Sequence, residues 1–145
     1  MKSGTWNDAI LAGHRDNLRD DSGKEAFDAL VGVAIDSPNY AVAPAWHGVI
    51  RDFRYFDVAS EEQPFAFIVN QRDLLFYVRA KGLRRVAGGV GALKREFPSA
   101  VENLRGEWTV RIASKQDAER LNAFLFSESV ASEIGCIADV SSSEE

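Results

Sequence analysis

The stretch from Phe65 to Val78 sets the strongest constraint on the fold. "FAFIV" and "LLFYV" are apolar at every position, and only the polar "NQRD" separates them. Runs this short, bounded by turn residues and rich in aromatic and β-branched side chains, read as strands. Both faces of each are apolar: Phe65, Phe67 and Val69 against Ala66 and Ile68, then Leu74, Phe76 and Val78 against Leu75 and Tyr77. Such strands are expected at the centre of a sheet, covered on both sides. Upstream, "VIRDFRYFDV" alternates, with either Ile50 and Phe56 or Phe53 and Tyr55 facing inward. Three strands joined by short turns predict an antiparallel meander.

The flanking segments read as helices. "TWNDAILAGHRDNLRDD" is a first helix with Thr5 as cap and Asp8 in its first turn; Trp6, Ile10, Leu11 and Leu18 form a partial stripe. "SGKEAFDALVGVAIDSP" has a capping-box pattern at Ser22 and Glu25, and an apolar face of Phe27, Leu30, Val31, Ala34 and Ile35 that Pro38 ends. "NYAVAPAWHG" reads as a loop or irregular strand. Gly88, Gly89 and Gly91 mark a turn before a helix from about Val90 to Phe97. "EWTVRIA" is a fourth strand. A last helix starts at Ser114, with Asp117 three residues on and Leu121, Phe124 and Leu125 facing the core. The expectation is an α+β fold with an antiparallel sheet of about four strands, in one domain over residues 1–138, followed by a short acidic disordered tail at 139–145.

A chain of 145 residues can bury a core without disulfide or metal. Cys136 is the single cysteine, so neither an internal disulfide nor a cysteine-based zinc site can form. No signal-peptide-like or membrane-spanning run is present, which points to a cytoplasmic protein with no membrane partner. The net charge of −5 conceals a basic middle: residues 37–112 carry eleven Lys/Arg against eight Asp/Glu.

Several chemistries lack their residues. His14 and His47 have no second histidine or cysteine at ligand spacing, so no metal site or cofactor is expected. There is no G-x-S-x-G elbow, no Walker pattern and no G-x-G-x-x-G. The protein is expected not to be an enzyme. The sharpest signal is a basic, glycine-rich segment with seven Lys/Arg and one acid, Asp73. Its cations are Arg72, Arg79, Lys81, Arg84, Arg85, Lys94 and Arg95, and clustered cations beside glycine amides suit a phosphate backbone. The competing reading is a solvated face whose cations pair with the acidic ends of the same chain. Trp46, Tyr40 and Trp6 are candidate anchors for a protein partner. Trp46, His47, Arg51, Arg54 and Tyr55 are candidates for a small-molecule pocket. A homodimer through exposed sheet edges is left open.

The segment "EWTVRIASKQDAERLNAFLFSES" resembles the end of the YjbR-like (MmcQ-like) small bacterial α+β domains. The matching residues are Trp108, Thr109, Val110 and Arg111, then Ser114 and the helix through Leu121 and Leu125. The meander fits that family's order of elements, and the resemblance spans about residues 49 to 130. It implies association with nucleic acid by shape and transfers no catalytic residues. Glu107 stands where the family has a histidine or lysine before the tryptophan. The function expected is thus a non-enzymatic binding protein that contacts nucleic-acid phosphates; the alternatives are a protein-interaction module of adaptor or immunity type and a small-molecule binder.

Overall fold

The computed structural model describes residues 8–47 and 49–126, apart from the side chain of His47. Thr5, Trp6, Cys136, residues 127–135 of the last predicted helix segment and the 139–145 tail lie outside them. The elements run α1 (Asp8–Asn17), α2 (Asp21–Asp36), β1 (Tyr40–His47), β2 (Ile50–Asp57), β3 (Phe65–Val69), β4 (Leu74–Val78), α3 (Ala80–Leu83), α4 (Gly89–Glu96), β5 (Val101–Glu102), β6 (Trp108–Ile112) and α5 (Lys115–Phe126). The fold is α+β. Its sheet has six strands in the order β1-β2-β3-β4-β6-β5, antiparallel throughout.

Two strands were not anticipated as such. β1 is a regular strand despite Pro44, because it is an edge strand, where a missing N–H is tolerated. β5 is two residues long, too short to carry a periodic signal. It forms because Asn103 builds the turn back to β6: its Oδ1 accepts from the Arg105 and Glu107 amides, and Gly106 takes a positive φ of 75°. Both sheet edges are therefore blunted, one by proline and one by shortness.

Register aligns the core. Phe53, Phe67, Phe76 and Val110 lie in one row across β2, β3, β4 and β6; Tyr55, Phe65, Val78 and Trp108 lie in the next. Phe53, not Ile50, points inward, which decides between the two faces of β2. Phe53 and Phe67 stack at 4.8 Å, and Phe27 of α2 meets Phe67 edge-on. Each such ring contributes about 1.5–3 kcal/mol by burial. α2 and α5 cover this face with Ala26, Phe27, Leu30, Ala34, Ala118 and Leu121. The opposite face is different. Phe56, Ile68, Leu75 and Tyr77 are only half-buried there. Among the described residues no second layer covers this face, in contrast to the expectation of strands covered on both sides, although Ala66 is buried there.

The helix starts also differ in detail. α2 is capped by Asp20, whose Oδ1 accepts from the Gly23 amide at 2.9 Å. Ser22 instead donates to the Ala113 carbonyl, tying α2 to the end of β6. The helix thus starts two residues earlier than the capping box at Ser22 implies, with a carboxylate at the positive end of the helix dipole. α5 starts as expected: Ser114 Oγ accepts from the Asp117 amide, and Asp117 Oδ2 accepts from the Ala113 amide.

Candidate functional site

The basic segment begins at the β3–β4 turn and ends in α4, so register separates its members. Arg72 sits in that turn, at one end of the sheet. Arg79, Lys81, Arg84 and Arg85 follow β4 at the opposite end, and Lys94 joins them by lying 5.7 Å over the Trp108 ring, beside Val78. Arg95 is on the same short helix.

Acids of the sheet's own loops meet three of these cations. Arg85 Nη1 donates to Asp57 Oδ2, and its Nη2 donates to Glu62 Oε1 at 3.2 Å. Lys81 Nζ lies 3.7 Å from Glu62 Oε2. Arg79 Nη1 donates to Gln63 Oε1, and its Nε lies 3.5 Å from Glu107 Oε2. The Asp57 carboxylate is held below its usual range, first by the Ser60 amide and, against the opposing effect of burial, by Arg85. Burial opposes the Arg85 charge, but Asp57 and the neighbouring acidic groups outweigh it and raise its pKa. The Asp57–Glu62–Arg85 cluster thus locks the β2–β3 loop to the chain after α3. Its acids come from the middle of the sequence, not from the acidic ends. Arg84 and Arg95 are exposed, with no ion-pair partner among the described residues.

The four pocket candidates with described side chains, Trp46, Arg51, Arg54 and Tyr55, are not brought to one cavity. Tyr55 is deep in the aromatic core. Arg54 lies on the half-buried face, its Nε donating to Asp52 Oδ2 at 3.0 Å. The His47 side chain lies outside the description. Trp46 and Arg51 do come together: they are cross-strand partners, and the Arg51 guanidinium lies 4.6 Å over the indole. On its inner side the indole abuts α1, where a Cβ at Gly13 would stand 3.8 Å from Cζ3. Held between a helix and a guanidinium, Trp46 is nevertheless 50% exposed, with Val49 and Ile50 exposed at the same hairpin tip. Of the other aromatic anchors, Tyr40 is buried and Trp6 lies outside the description.

His14 has a role that its sequence spacing does not indicate. It is fully buried in α1, and its Nε2 is 2.8 Å from the Asp52 carbonyl. Burial, opposed by hydrogen bonds to the Asp52 and Ala45 backbone, holds its pKa below the usual value. It is a strut between α1 and β2. Among the described residues no three His, Cys, Asp or Glu side chains are grouped to hold a metal ion, and no helix is long and apolar enough to cross a membrane.

Compared with known proteins, the chain matches no family model, no curated protein and no solved structure.

Proposed function

We propose that the protein is a recognition module that presents Trp46, stacked on Arg51 and flanked by Val49 and Ile50, to a protein partner. One observation carries this reading: a tryptophan fixed on two sides keeps half its surface in water at the tip of a hairpin. Tryptophan and arginine are the side chains that most often dominate an interface, and an anchor already fixed loses little entropy on binding. The test is affinity capture from the native host's extract, comparing the parent with Trp46→Ala and Ile50→Ser, folding being checked by circular dichroism. A partner that depends on the hairpin is depleted about tenfold or more with Trp46→Ala. A partner set that both variants retain unchanged refutes the reading.

Nucleic-acid binding is the second reading, and one observation favours it: exposed Arg84 and Arg95 join Lys94 and the Trp108 ring near one end of the sheet. The resemblance to the YjbR-like domains belongs with it. Arg84→Glu with Arg95→Glu tests it without disturbing the Arg85 ion pairs. Anisotropy of labelled DNA, measured at low and near-physiological salt, should show salt-sensitive binding that this variant loses. Absence of binding at low salt ends the second reading.

A further inference from the structure

The half-buried sheet face holds a groove that neither reading uses. Ile68 and Tyr77 line it from β3 and β4, and the β5–β6 turn closes one side with Asn103, Arg105 and Glu107; the volume is about 240 Å³. The wall is built, not incidental. Asn103 Oδ1 accepts from the Arg105 and Glu107 amides, its Nδ2 donates to Glu107 Oε1, and its own amide donates to the Glu107 carbonyl.

The charges in the groove are unequally satisfied. Its two carboxylates already have partners: Asp52 has Arg54, and Glu107 has Asn103 and Arg79. Its two guanidiniums are less fully engaged, although Arg79 Nη1 donates to Gln63. Arg79 Nε is buried without a hydrogen bond, since its approach to Glu107 is a 3.5 Å ion pair only. The Arg105 side chain has no hydrogen-bond or ion-pair partner among the described residues, although it lines the same space. A buried donor left unpaired costs free energy that an incoming acceptor would recover. A guanidinium presents paired donors suited to a planar carboxylate. The tyrosine ring and the isoleucine offer a flat apolar wall beside it, and the volume limits the occupant to a small molecule.

We infer that the groove is a binding site for a small aromatic carboxylate, its ring against Tyr77 and Ile68 and its carboxylate between Arg79 and Arg105. The inference is independent of the hairpin. The probe is benzoate, added to the isotope-labelled full chain and followed by NMR chemical shifts. Saturable shifts at Ile68, Tyr77 and Arg105 are expected, with Kd of about 1 mM or tighter. Benzamide, the neutral analogue, should produce none. Arg105→Gln, on an exposed turn, should fold normally and weaken benzoate at least about fivefold. Trp46→Ala should leave benzoate binding unchanged, so loss of partner capture and loss of this site are separable. Inorganic phosphate is the competing source of an anion: if it shifts the same residues as strongly as benzoate, the aromatic part of the inference falls. No saturable shift with benzoate, equal shifts with benzamide, or undiminished binding by Arg105→Gln overturns the site.

Discussion

Replacing Tyr55 by phenylalanine should stabilise the protein. Tyr55 is fully buried in β2, stacked on Phe126 at 5.4 Å and edge-on to Tyr40, Phe53 and Phe65. Its hydroxyl has no hydrogen-bond partner among the described residues. Burial, with a smaller contribution from Tyr40, drives its pKa far above the usual phenol value. An unpaired buried hydroxyl costs about 1–3 kcal/mol in lost hydration. Removing one oxygen leaves a void of roughly 20 Å³, which costs about 0.5 kcal/mol. The balance is a gain of about 0.5–2.5 kcal/mol for Tyr55→Phe. At a urea m-value of about 2 kcal/mol/M, the midpoint should rise by about 0.3–1.2 M, read from tryptophan fluorescence. Most buried hydroxyl deletions destabilise, so the sign is decisive. A midpoint lowered by about 0.25 M or more would mean that the hydroxyl is hydrogen-bonded in solution. An alkaline titration gives a second readout. The last phenolate absorbance should appear only as the native protein unfolds, and Tyr55→Phe should lack that step.

Gly82→Ala should destabilise by about 2 kcal/mol or more, because a Cβ there would collide with the Pro64 carbonyl oxygen and approach Phe65 Cε1 to 2.9 Å; a urea midpoint equal to the parent's would show that α3 can shift away from β3. His14 has a native pKa below its unfolded value of 6.5, so the unfolded chain binds the extra proton. Its stabilising contribution is therefore full above about pH 6.5 and declines by up to about 1.4 kcal/mol per pH unit below it, until the native pKa is reached. Midpoints measured between about pH 5 and 8 should fall with acid in the parent and show a flatter slope in His14→Gln; equal slopes would place the titration elsewhere.

The fold class was legible because it rests on periodicity. β3, β4 and β6 are short runs whose inward residues alternate, and the Ser114–Asp117 cap names its helix directly. What escaped detection depends on distance in space. The apolar outer residues of β3 and β4 suggested a second covering layer, yet among the described residues Phe56, Leu75 and Tyr77 are only half-buried. The partners of the basic segment were sought in the acidic ends of the chain, whereas its ion pairs join residues within the middle that are far apart in sequence, Arg85 to Asp57 across 28 positions and to Glu62 across 23. The Asp57–Arg85 link follows from the antiparallel order, which returns the end of β4 beside the start of β3 and so beside the loop after β2. Trp46 was visible as an anchor from its residue type alone. What makes it more than an exposed ring is the cross-strand register that places Arg51 over it and its position beside Gly13 of α1.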